Sequence, residues 1–224
     1  MDTGGPLHVR GHHVFQRHFD RLVMLSDGVF AIALTLSAVE LRPEAPPGAS
    51  LAQVWTAPLL TYFLSFFIIG GVWIRHRRAL AHLRAVDLPL TLLTLLLLSL
   101  VALTPVVIRV MLSGDFAGTP QGMLLYALSL AAIYACLGVS WGYAAFMADL
   151  APDVPRTRAW SWLMQEGFVT ALFGAVALYS LHMKIPAVLM TLVAVVGRVF
   201  SARLESAAKR EEQAIAQESA DPRQ

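Results

Sequence analysis

The sequence predicts an all-α membrane protein with six transmembrane helices, on three observations. Apolar residues make up 57% of the 224-residue chain and charged residues 14%, against roughly 45–50% and 25% in soluble domains. Mean hydropathy is +0.62, more hydrocarbon than a water-soluble fold of this size can hide. Six stretches are apolar over the ~20 residues that a helix needs to cross a bilayer, and basic residues gather at alternate ends of them.

The first span covers about 21–41 and contains one charge, Asp27. The second, about 54–74, is rich in Phe, Ile and Leu, and the third, about 88–108, holds the run LPLTLLTLLLLSL. The fourth covers about 123–147 and carries Gly138 and Gly142, a spacing that lets helices approach closely. The fifth covers about 160–181. Glu166 is an intramembrane charge if that helix starts near Trp160, but a water-exposed position at the helix start is the expectation. The sixth begins after Pro186 and ends near Val199, and the alanine-rich charged tail after Ser201 is expected to extend it as a helix into water before fraying at Asp221-Pro222. Pro43, Pro46, Pro47 and Gly48 punctuate the first loop, Gly114, Gly118 and Pro120 the third, Pro152 and Pro155 the fourth. The connections are short, so one transmembrane domain (20–204) lies between an N-terminal segment (1–19) and a charged C-terminal tail (205–224).

Segment 1–19 has Arg10, Arg17 and four histidines but no apolar core, so it does not read as a signal peptide. His8, His12, His13 and His18 look like a metal or pH-sensing cluster, yet a polar N-terminal segment accounts for them. The single cysteine, Cys136, sits in an apolar run and reads as a small buried hydrophobe. A net charge of +2 is too small to imply a nucleic-acid partner.

Topology follows from the basic residues. Arg10, Arg17 and Arg21 stand before or at the first span, Arg75, Arg77, Arg78 and Arg84 after the second, and Arg156 and Arg158 before the fifth. Arg198, Arg203, Lys209, Arg210 and Arg223 follow the sixth. All these fall on one side, leaving only Arg42, Arg109 and Lys184 on the other. An even number of spans places both termini on the basic, cytoplasmic side.

Asp27 is costly inside a membrane helix unless paired. Hairpin topology puts Trp73 and His76, at the end of the second span, level with Arg21, Ser26 and Asp27. The expectation is a polar network of Arg21, Ser26, Asp27, Trp73 and His76; the alternative is an unpaired Asp27 in the water interface.

The stretch R-x4-SDGVFAIALTL, followed by SFxxIxxxWxxH (Ser65, Phe66, Ile69, Trp73, His76), resembles the transmembrane protein 175 family of potassium-permeable channels. Animal members carry two six-helix repeats and prokaryotic members one, so the resemblance implies a homotetramer in the lipid bilayer with four first helices lining the pore. Two positions depart from the family pattern: Leu25 stands where Phe is usual, and the end of the third span is reduced to Thr104-Pro105, followed by Arg109. The resemblance makes Ile32, Thr35, Leu36 and Val39 pore-lining. Spacing agrees, since Ile32, Leu36 and Val39 share a helical face with Thr35 beside them. Gly28, Ala31, Ala33, Ser37 and Ala38 fill much of the rest of the helix with small side chains. A ring of Ile32 side chains would shut a pore by expelling water, and Thr35 hydroxyls would replace part of an ion's hydration shell. Potassium is thus a permeant species, met transiently near Thr35, and no cofactor is implied. No TVGYG-like filter is present. Glu40 either concentrates cations at the outer mouth or is an ordinary interfacial charge.

Two other function classes compete. A proton- or ion-coupled secondary transporter would use Asp27 as its coupling carboxylate, although no internal repeat of the kind common in such proteins is visible. An intramembrane hydrolase built from Ser26, Asp27 and His76 is disfavoured, because adjacent residues point about 100° apart on a helix and no GxSxG elbow is present.

Overall fold

A computed structural model describes the backbone of residues 7–39, 41, 47–112, 116 and 118–219. Within the helices it describes the side chains of all but 7–16, 57, 61, 112, 204, 205 and 207–219. Glu40, Arg42, Pro43, Pro46, Gly114 and Arg223 lie outside the described residues, as do the side chains of Arg10, His8, His12, His13, Lys209 and Arg210.

Among the described residues, six helices follow one another: α1 (Leu7–Val39), α2 (Leu51–Leu80), α3 (Leu88–Leu112), α4 (Pro120–Gly142), α5 (Arg156–Ser180) and α6 (Lys184–Ser219). A single π-helical turn, Tyr143–Met147, prolongs α4. Each helix contains a stretch long and apolar enough to cross a membrane. The chain is a membrane protein of six spans.

The helix starts have local causes. Ser50 and Gln53 form a reciprocal capping box at α2. Asp87 accepts from the Leu90 backbone N–H (3.0 Å) to cap α3. Thr119 caps α4 just before Pro120, whose missing N–H costs nothing at a first helical position. The turn before that cap needs Gly118, which adopts a φ of +71° that a side chain would resist.

Two helices run longer than hydropathy predicts. α1 begins at Leu7 rather than near residue 21, and α6 continues past its apolar span to Ser219, as expected of the charged tail. Both extensions are polar, so they carry no membrane signal, yet they lack the Gly–Pro punctuation that ends helices. α5 also starts earlier, at Arg156, directly after Pro155.

α3 packs on α1 and α4, α2 on α1 and α3, and α5 bridges α4 and α6. Phe30 and Ala33 of α1, Ile69 and Val72 of α2, Leu97 and Val101 of α3, and Leu130 and Ile133 of α4 meet in the main core. Cys136 is buried there, as its apolar surroundings predict. A smaller cluster at the end that carries Arg75–Arg84 and Arg156–Arg158, the basic end, joins Trp141, Ala151, Val154 and Ala159 with Trp162 and Leu163. Gly138 and Gly142 lie against α5: a Cβ on Gly138 would sit 3.4 Å from Glu166 Cβ. The close approach predicted for that pair of glycines is the α4–α5 contact.

Candidate functional site in the first helix

Helix α1 divides into two faces. Leu22, Ser26, Phe30, Ala33 and Ser37, spaced four, four, three and four residues apart, are buried in the subunit. Asp27, Gly28, Ala31, Ile32, Thr35, Leu36, Ala38 and Val39 are exposed. Phe30 is 1% accessible while Ile32, two residues on, is 59% accessible. Of the small residues predicted to line the helix, Ala33 and Ser37 serve the core; Gly28, Ala31 and Ala38 face outward.

The buried face is fastened to α2 by polar groups. The Ser26 hydroxyl donates to the Leu22 carbonyl at 2.8 Å. Having spent its only proton, Ser26 Oγ must accept from His76 Nε2, 3.2 Å away, which selects the tautomer with hydrogen on Nε2. Both residues are buried. The Phe30 ring lies 5.8 Å from the His76 ring and closes this contact from above. At the rim, the Trp73 indole N–H donates to Asp27 Oδ1 at 2.8 Å, and the Arg77 guanidinium covers the Trp73 ring at 5.3 Å. Ser26, Asp27, Trp73 and His76 therefore come together. Arg21 does not join them: it is exposed, and six residues before Asp27 place it roughly 240° around the helix.

On the exposed face, Thr35 donates back to the helix, to Ala31 O (3.0 Å) and Ile32 O (2.9 Å). With its proton turned inward, the hydroxyl presents its lone pairs outward, the form in which it can coordinate a cation. Ile32, Leu36 and Val39 stand around it as exposed apolar side chains. Among the described residues, no group of three or more His, Cys, Asp or Glu could hold a metal ion.

The structure corrects a second expectation. Glu166 is not in water at a helix start; it lies ten residues inside α5, about 15 Å from its first residue, and is 5% accessible. Its Oε1 accepts from Arg75 Nη1 of α2 at 2.8 Å, while the Arg75 guanidinium rests 5.5 Å from the Tyr134 ring centroid of α4. A carboxylate at this depth requires a cation, and Arg75 supplies it. The available signal was level: Arg75 near the end of α2 and Glu166 near the start of α5 approach the same basic end. By sequence alone Arg75 reads as a topology marker.

These features define a class: a six-span membrane protein whose first helix is pinned to the second by a Ser–His and Asp–Trp pair and offers its other face outward. Residues 21–105 match the family described as endosomal/lysosomal potassium channel TMEM175. That segment, which holds the membrane part of α1, all of α2 and most of α3, is under half of the chain and is similar to that family. It is 38% identical over 90 residues to a potassium channel of Streptomyces collinus, covering 38% of this chain and 43% of that protein. It is 31% identical over 114 residues to a potassium channel of a Chryseobacterium species, covering 50% and 59%. The endosomal/lysosomal proton channel TMEM175 of Gallus gallus is 26% identical over 113 residues, 48% of this chain and 22% of that one. The matches thus span less than two thirds of each relative's length. The six-helix fold is shared with the crystal structure of a variant of the potassium channel MtTMEM175, bound to a nanobody fusion. The TM-score is 0.60 at 16% identity, over 83% of this chain and 93% of that one.

Proposed function

We propose that the chain is one subunit of a potassium-permeable cation channel in which four copies turn the exposed face of α1 toward a central pathway. One observation carries the reading. Ile32, Thr35, Leu36 and Val39 are left exposed by a helix whose opposite face is fixed by buried polar bonds to α2. Fixing one face to α2 holds the opposite face in a constant orientation, as a pathway built from several copies requires. The two curated bacterial relatives are named potassium channels, which supports potassium as the permeant ion. In this reading four Ile32 side chains form the hydrophobic constriction, Thr35 meets the ion as it sheds water, and Leu36 and Val39 line the outer part. Ser26, Asp27, Trp73 and His76 hold the helix in register. The basic end faces the cytoplasm of a prokaryotic cell, with both termini there.

A second permeant ion is also supported. Asp27 is exposed on the same helix, and the chicken relative is named a proton channel. Protons are then carried by the same pathway.

Reconstituted liposomes test both readings. With tetramers verified by cross-linking, vesicles loaded with potassium, sodium or rubidium should release potassium and rubidium faster than empty vesicles do. A pH-sensitive dye reports proton flux in parallel. No potassium flux from intact tetramers would defeat the channel reading, and saturable, substrate-dependent flux would favour coupled transport through Asp27.

A further inference from the structure

The same short segment of α2 that fastens α1 is itself fastened from the other side. Successive residues turn by about 100° in a helix, so Arg75, Arg78 and His82 share a face roughly 150° from that of Trp73 and His76. The Trp73–His76 face holds Asp27 and Ser26 of α1. On the second face, Arg75 bonds Glu166 of α5 at 2.8 Å and rests on Tyr134 of α4. Arg78 stacks over Trp162 of α5 at 4.4 Å from the ring centroid, and the His82 ring meets the same indole edge-on. Further from the basic end, α2 is exposed at Leu60, Phe63, Leu64 and Phe67. The polar tie between α2 and α5 is therefore concentrated where α2 also holds α1.

The tie is only half satisfied. Glu166 Oε1 is paired, but Oε2 is buried with no hydrogen-bond partner. Beside it is a cavity of about 20 Å³ against Arg75, Arg78 and Trp162, room for one water. A buried ion pair whose lone pairs are incompletely met gains little net stability, because desolvation offsets the Coulomb attraction. Such a pair specifies an arrangement without locking it.

We propose that the Arg75–Glu166 pair is a positioning element for conduction. When made, it seats the end of α2 against α4 and α5, and through Trp73 and His76 it sets the position of α1. When broken, it frees that segment and changes how often the α1 pathway is open. The inference rests on the channel reading above and assigns the control of that pathway to residues that do not line it.

Single-channel recording of the full chain in planar bilayers, with potassium on both sides, tests this. Glu166→Gln removes the charge and leaves the half-buried Arg75 without its counter-ion. The double variant Arg75→Gln with Glu166→Gln removes both charges, so it leaves no unpaired ion to unfold the protein. Each should change open probability by at least about fivefold, the lower range of coupling between distant sites. Single-channel current and the potassium-to-sodium permeability ratio should stay at wild-type values, because Ile32 and Thr35 are untouched. Wild-type open probability in the double variant overturns the proposal. So does a change confined to current or permeability ratio, which would make the pair part of the pathway itself. If the folded wild-type tetramer passes no potassium, the channel reading fails and this inference with it; a conducting wild type with unmoved variants defeats this inference alone.

Discussion

Replacing Ser26 with Ala probes the bond that pins α1, and the structure sets its size. The variant leaves the Leu22 carbonyl with its helical partner but removes the acceptor for His76 Nε2–H at 3.2 Å. In a water-soluble core, an orphaned buried donor costs about 1–3 kcal/mol. Interhelical hydrogen bonds in membranes are weaker, averaging about 0.6 and reaching about 1.7 kcal/mol. Ser26 is 1% and His76 5% accessible, so the upper half of that range applies, about 1–1.7 kcal/mol. Alanine's higher helix propensity returns up to about 0.5 kcal/mol. The net loss is then about 0.5–1.7 kcal/mol, or about 1–7 °C in Tm for a chain of this size. The assay is thermal unfolding of the purified protein in detergent, run as a double-mutant cycle with His76→Phe, which keeps a ring against Phe30 but removes the donor. Ser26→Ala should lower Tm in the wild-type background and leave it unchanged or raised in the Phe background. An equal drop in both backgrounds would refute the bond as the pin.

Three further outcomes follow from the same structure. Trp73→Phe removes the indole donor to Asp27, but Asp27 is exposed, so the loss in detergent should stay below about 1 kcal/mol, read as a Tm shift smaller than that of Ser26→Ala. Gly138→Ala should be tolerated because its new Cβ meets Glu166 Cβ at an ordinary 3.4 Å. Gly138→Leu should cost about 1–3 kcal/mol by forcing α4 from α5, seen as a lower yield of monodisperse protein. In the loops, Arg84 Nε donates to Asp153 at 2.9 Å, and this hydrogen bond holds the Asp153 carboxyl below the usual carboxylate range. A depressed carboxyl contributes stability above its unfolded pKa and loses it as pH falls through the folded one. Any contribution of Asp153 is thus present at neutral pH and lost below about pH 4. The pair is fully exposed, so Asp153→Asn should flatten only slightly the acid limb of Tm against pH.

Much of this fold was legible because membrane burial writes itself into composition. A span needs a run of hydrocarbon, and the six runs and the alternating basic ends could be read without any long-range information. The start of α1 was not legible where the helix leaves the apolar run, because hydropathy does not register the polar residues 7–20. In the candidate site, Trp73 and His76 could be placed beside Ser26 and Asp27 because one hairpin sets their level. Arg21 was placed at that level too, but level does not specify the face of a helix, and Arg21 lies on another. Glu166 was misplaced for two linked reasons. Its helix was started four residues late, and its partner Arg75 lies 91 residues away in sequence, beyond the reach of any local pattern. The partition of α1 into a buried and an exposed face was only half visible, since every apolar position on a membrane helix looks alike until its neighbours are known.

The central claim is that the exposed face of α1 forms the ion pathway, with Ile32 as its constriction. Potassium flux through Ile32→Asn tetramers, compared with wild type in liposomes of the same composition, tests it most directly. Ile32 is 59% accessible in the subunit and belongs to no buried cluster, so the substitution should leave the fold intact. A polar ring in place of a hydrophobic one no longer expels water, and the account predicts faster potassium release. Flux equal to wild type from intact Ile32→Asn tetramers would contradict it.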